Sequence, residues 1–139
     1  MKKGKLIHNE ISHTISKLGH TDGITIGDCG LPIPDTVKRI DLAITLGVPD
    51  FITVFDTVLS EQWVEEVILA EEMEIHSKHM YEKIILRLKE LEKEQGNIIK
   101  IVKIPHEAFK KKTIETKAVI RTGECTPYAN IILKSGVVF

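Results

Sequence analysis

Apolar positions along the chain change period several times. Ile7, Ile11, Ile15 and Leu18 recur at helical spacing, and Gly19 then supplies a helix stop, leaving His20 just beyond it. Gly23 to Asp28 reads as a short apolar strand that runs into Asp28-Cys29-Gly30-Leu31-Pro32-Ile33-Pro34, where glycine and two prolines forbid regular structure. Arg39 to Thr45 alternates, with Ile40, Leu42 and Ile44 on one side, and predicts a half-buried strand. Gly47-Val48-Pro49-Asp50 is a turn, and Asp50 is a plausible N-cap for a helix through Leu59. The β-branched content of Val64–Ala70 favours a strand over a short helix.

The clearest helix spans Tyr81 to Gln95. Ile84, Ile85, Leu88 and Leu91 form its stripe and Gly96 closes it. Ile98 to Ile104 predicts another strand, stopped by Pro105 and followed by His106, then a short helix over Glu107–Lys111. Ala118-Val119-Ile120 and Ile131-Ile132-Leu133 read as buried strands, and the apolar Val137-Val138-Phe139 end suggests docking into a neighbouring element or subunit. Strands alternating with helices predict an α/β fold, a three-layer sandwich whose largely parallel or mixed sheet is flanked by helices, as one domain over 1–139.

Composition narrows the function classes. The 19 basic and 20 acidic residues of this 139-residue chain nearly cancel. No basic patch suited to nucleic acid is visible, since Lys110-Lys111-Lys112 is short. No apolar run approaches the roughly 20 residues of a membrane span, and Met1-Lys2-Lys3-Gly4-Lys5 lacks the apolar stretch of a signal peptide, so a cytoplasmic location is expected. Cys29 and Cys125 make no disulfide framework; both are expected to be reduced, small buried packers.

The segment 121–130, Arg-Thr-Gly-Glu-Cys-Thr-Pro-Tyr-Ala-Asn, carries unusual chemistry for the flank of a core strand. Polar groups left unpaired in a core cost roughly 1–3 kcal/mol each, so such a cluster points to a ligand or a partner chain. A phenol at Tyr128 and an amide at Asn130 suit a hydroxyl-rich small molecule better than a metal or a phosphate.

Ligands of open α/β sheets bind beyond the carboxyl ends of strands, where Asp28, His106 and the Tyr128–Asn130 segment are expected. His20 precedes the strand that delivers Asp28, so the two should lie at opposite ends of that strand. A subunit interface, with one chain lending its loop to the next, would reunite them. Each residue also has a simpler role: His20 on a helix C-terminus, Asp28 as a turn former, His106 as a cap, Tyr128 and Asn130 on loop backbone, Arg121 with Glu124 as a surface pair. Their joint occurrence favours a site.

Other chemistries fit less well. Gly27-Asp28-Cys29-Gly30 lacks the spacing of a dinucleotide loop. His76-Ser77-Lys78-His79, with Glu72 and Glu74 nearby, has the nearest metal-like spacing, but the intervening lysine and surrounding charge favour an exposed helix start. A Cys29 nucleophile would be opposed by the adjacent Asp28 carboxylate.

These residues match a known pattern. The chain resembles the D-ribose pyranase and fucose mutarotase family, most closely its pyranase branch, over essentially its whole length. The resemblance rests on Leu18-Gly19-His20-Thr21-Asp22, on Asp28 to Pro34, on Ala118 to Glu124, on Thr126 to Asn130 and on Gly136 to Phe139. It implies an isomerase that interconverts pyranose and furanose forms of free D-ribose, with His20 as proton donor and Asp28, His106, Tyr128, Ala129 and Asn130 holding the sugar. It further implies no metal or organic cofactor, and a homodecamer of two stacked pentameric rings with interface sites. Cys29 and Cys125 fall where other members often carry Ala or Phe. A non-catalytic sugar-binding accessory of a ribose uptake system, a mutarotase for fucose or another monosaccharide, and a purely structural oligomer are the competing readings.

Overall fold

The computed structural model describes residues 1–139. Six strands, β1 (Gly23–Gly27), β2 (Arg39–Asp41), β3 (Val64–Ala70), β4 (Lys100–Ile104), β5 (Ala118–Arg121) and β6 (Ile131–Ser135), form one sheet in the order β2-β5-β1-β6-β3-β4. Pairing is parallel for β1 with β5, β2 with β5 and β3 with β4. Strand β6 runs antiparallel to both β1 and β3, which makes the sheet mixed. The carboxyl ends of the other five strands and the amino end of β6 therefore share one edge.

Alternation sorts the strand side chains onto two faces. Ile24, Ile26, Val67, Leu69, Ala118, Ile120, Ile131 and Leu133 enter the larger core cluster. That core is covered by α1 (Asn9–Ser16), α2 (Phe51–Leu59) and α4 (Lys78–Gln95). Ile68, Val119 and Ile132 face the other way, against Phe109 of α5 (His106–Lys112) and Leu31 and Val37 of the irregular segment after β1. The result is the expected α/β sandwich, with a thinner third layer on the second face.

Local chemistry sets the helix ends. Asp50 caps α2, its Oδ1 accepting from the Thr53 N–H at 2.9 Å. Gly96 closes α4 with φ +74°, a left-handed conformation suited to glycine. Helix α4 starts at Lys78, earlier than its apolar stripe implies, and a further short helix, α3 (Glu71–His76), leads directly from β3. The first helix covers only Asn9–Ser16, leaving Ile7 outside it and exposed.

The alternation at 39–45 overstates β2. Leu42 still donates to the Arg121 carbonyl at 2.9 Å, but the Asp41 carboxylate accepts from the Ala43 N–H and turns the chain away, so Ile44 is exposed. Strand β4 likewise starts at Lys100, two residues later than expected, with Ile98 exposed in the preceding turn. Val138 and Phe139 are exposed too.

Candidate functional site

Strand β1 ends at Gly27 and delivers Asp28 to the shared edge, while β6 starts at Ile131 immediately after Asn130. The two residues form a reciprocal pair. The Asp28 N–H donates to Asn130 Oδ1 at 2.9 Å, and Asn130 Nδ2 donates to Asp28 Oδ2 at 3.0 Å. The Gly30 N–H donates to Asp28 Oδ1 at 2.9 Å. Asn130 is fully buried, so its amide orientation is dictated by these partners. Burial pushes the Asp28 carboxyl above its ordinary value, against the opposing pull of the Gly30 N–H, the Asn130 amide, the Leu31 N–H and His106. Each carboxylate oxygen retains a lone pair for a further donor such as a sugar hydroxyl.

His106 opens α5 at the end of β4. Its backbone N–H donates to both oxygens of Glu72, at 3.0 and 2.9 Å. Burial would raise the Glu72 carboxyl, but the N–H groups of His106 and Glu72 and the nearby His106 and His76 rings hold it below the ordinary value. The His106 ring stacks on Phe109 with centroids 6.3 Å apart and meets Tyr128 edge-on at 5.0 Å. Its Nδ1 is buried with no partner in the chain. Tyr128 sits at φ +63°, a left-handed position uncommon for a bulky residue. It is fixed by the Asn130 N–H donating to its carbonyl at 2.7 Å and by Ser77 Oγ donating to the Pro127 carbonyl at 2.5 Å. Ala129 is fully buried and its N–H donates to the Thr126 carbonyl at 3.3 Å.

The two charges of the segment serve as braces. Glu124 accepts from the Cys125 N–H, from the N–H and hydroxyl of Thr126, and from the Phe51 N–H at the start of α2. Burial opposes its ionisation, but the Thr126 hydroxyl and the Phe51, Thr126 and Cys125 N–H groups hold its carboxyl below the ordinary value. Arg121 Nε donates to the Cys29 carbonyl at 3.0 Å while its Nη1 contacts Asp41. The structure thus joins the turn after β1, the end of β2 and the start of α2 around this segment.

Asp28, His106, Tyr128, Ala129 and Asn130 therefore gather at one edge. His20 does not join them. It lies before β1 at the opposite edge, about 20 Å from Asp28 by the rise of an extended strand. The Gly19–Asp22 turn presents it: Gly19 N–H donates to Asp22 Oδ2 at 2.9 Å, the Thr21 N–H donates to the Ser135 carbonyl at 2.8 Å, and Thr21 takes φ +68°, an outlier for a β-branched residue. His20 is exposed, and its Nε2 lies 2.9 and 3.0 Å from the two oxygens of Glu65. An ionised carboxylate only accepts, so Nε2 is the donor in that contact.

Sequence reasoning missed Glu72, Ser77 and Glu65 because each acts through a partner remote in the chain. It also took both thiols for buried packers, whereas Cys29 is half-buried and Cys125 exposed. Beside the edge, a cleft of about 950 Å³ opens between the α3–α4 junction and the 124–127 segment, lined in part by His76, His79, Lys83 and Thr126.

Residues 1–138 match the family model described as the RbsD / FucU transport protein family. The D-ribose pyranases of Yersinia enterocolitica and Photorhabdus laumondii are 54% and 55% identical to the chain, each over 139 residues covering all of both proteins. The structure of Bacillus subtilis RbsD complexed with D-ribose superimposes with a TM-score of 0.89 at 40% identity, covering 100% of both chains.

Proposed function

The chain belongs to the RbsD / FucU transport protein family, and we propose that it is an isomerase that interconverts the pyranose and furanose forms of free D-ribose. The observation that carries this reading is the reciprocal Asp28–Asn130 pair facing His106 and Tyr128 at the carboxyl edge of the sheet. Such a wall accepts and donates to several hydroxyls at once and presents an aromatic surface to a sugar ring.

Ring exchange passes through the open-chain aldehyde. Opening removes a proton from the anomeric hydroxyl and delivers one to the ring oxygen; closing on another hydroxyl reverses both transfers. In the proposed site Asp28 accepts from sugar hydroxyls, Asn130 holds that carboxylate in place, and Tyr128 and the Ala129 backbone shape the wall. His106 orients the anomeric centre with its partnerless Nδ1. His20 carries the proton to and from the ring oxygen, with Glu65 fixing its ring. This acid–base step accounts for about 10²–10⁴-fold of rate.

Because His20 lies at the far edge of its own subunit, the site is completed by His20 of a neighbouring copy. The position of His20 calls for a neighbouring copy; the family resemblance implies that this copy belongs to a decamer of two pentameric rings, and we propose that assembly for the chain, acting as one domain over 1–139 in the cytoplasm. The exposed Val138 and Phe139 give such an assembly an apolar contact. No helix is long and apolar enough to cross a membrane.

Magnetisation-transfer NMR on D-ribose tests the reading. The chain accelerates exchange between ring forms, and His20→Ala removes the acceleration from a folded protein. Ribose binding with no acceleration would instead establish a sugar-binding accessory, and faster exchange of fucose than of ribose would make it a mutarotase of another specificity.

A further inference from the structure

Two thiols meet at the rim of the sugar-holding edge. Cys29 Sγ and Cys125 Sγ are 3.8 Å apart, although 96 positions separate them in the chain. The contact is built into the backbone: the Cys29 N–H donates to the Glu124 carbonyl at 2.8 Å, and the Arg121 guanidinium ties the Cys29 carbonyl at 3.0 Å. Neither Cα is free to drift away from the other. Cys29 directly follows Asp28, and Cys125 lies three residues before Tyr128.

We propose that Cys29 and Cys125 form a reversible intrachain disulfide whose closure displaces Asp28 and slows the sugar-ring exchange. The oxidant is a low-molecular-weight disulfide such as oxidised glutathione. Exposed Cys125, as thiolate, attacks one sulfur of that disulfide and expels a thiolate, giving a mixed disulfide. Cys29 then loses its proton, attacks the Cys125 sulfur and expels the second thiolate. Two thiol protons leave, one disulfide is formed in the protein and one is reduced outside it. Burial, the Cys125 thiol and the Asp28 carboxylate push the Cys29 thiol above its ordinary value, which suits Cys29 to the second, intramolecular step.

Closure must shorten the sulfur separation from 3.8 Å to about 2.05 Å. The Asp28–Gly30 turn moves with Cys29, while Asn130 stays anchored in the sheet at the start of β6. The 2.9 and 3.0 Å contacts of the Asp28–Asn130 pair are thereby strained. A misplacement of about 1 Å at a reacting site can lower a rate by about 10²-fold.

The consequence for rate rests on the ring-exchange reading; the bond itself does not. The full-length assembly is treated with oxidised glutathione, then read by intact mass, by mapping of the Cys29–Cys125 linked peptide and by the ribose exchange rate. The expected result is loss of two thiol hydrogens, the linked peptide and an exchange rate lowered at least tenfold, restored by a dithiol reductant and absent in Cys125→Ser. Stable glutathione adducts or unreacted thiols without the linked peptide would overturn the site. A closed bridge with an unchanged rate would overturn the switch. A bridge that closes in a protein whose reduced form does not accelerate exchange would refute the ring-exchange reading and leave the thiol site standing.

Discussion

At the scale of single residues, Asn130 is the most constrained member of the edge. It is fully buried and satisfies both the Asp28 N–H and the Asp28 carboxylate. Asn130→Ala leaves that N–H without its partner, at a cost of about 1–3 kcal/mol. The expected outcome is a lower midpoint in urea unfolding and weaker ribose binding by calorimetry. An unchanged midpoint would mean that the pair holds nothing. Tyr128 and Asn130 are legible in the sequence because a phenol and an amide stand out beside apolar strands. Glu72 and Ser77 are not, because their partners are main-chain groups, the His106 N–H and the Pro127 carbonyl, which a sequence does not display.

Among the elements, the strands with β-branched or alternating residues were readable, as were helices with a cap and a stripe. Helix α3 was hidden: six residues long, it buries only Met73 and so has no stripe to read. The end of β2 was hidden for another reason, since the alternating apolar pattern continues beyond the turn set by Asp41. Here the 121–130 segment docks on the turn before α2. The Gly47 N–H donates to the Gly123 carbonyl at 2.6 Å, and the Gly123 N–H donates to the Pro49 carbonyl at 2.8 Å. A Cβ at Gly123 would meet Val48 N at 2.5 Å and Thr45 O at 2.6 Å, backbone atoms that cannot step aside cheaply. Gly123→Ala is therefore expected to destabilise by about 1–3 kcal/mol through overpacking. Hydrogen exchange should show early opening at 44–50 and 122–128; uniform protection would contradict the docking.

For the whole molecule, acid should be the weak side. Asp22, Asp50, Glu72 and Glu124 have folded pKa values below the ordinary 3.8 for Asp and 4.5 for Glu. The unfolded chain then binds more protons at these groups, so their stabilisation is present above those values and is lost as pH falls through them. Asp28 has the opposite sign: its raised folded value favours the protonated form, so its contribution is present below 3.8 and is lost as pH rises through the folded value. With Glu107, which is also lowered, five carboxyls oppose one, and Tm measured across a pH series should decline below about 4.5. A Tm that stays flat or rises there would contradict the assignment. The same scale shows what topology alone could tell. Placing His20 and Asp28 at opposite ends of β1 followed from chain order, and the structure keeps them apart. A single subunit therefore does not bring His20, the proposed proton carrier, to the edge proposed to hold the sugar.

Subunit mixing tests that separation most directly. His20→Ala and Asp28→Asn are each expected to be folded and inactive in ribose exchange by magnetisation-transfer NMR. Unfolded together and reassembled at equal amounts, they should recover roughly a quarter of the wild-type rate, the share of random interfaces that join two intact halves. Assembled mixtures that remain as inactive as the separate variants would contradict a site shared between two copies of the chain.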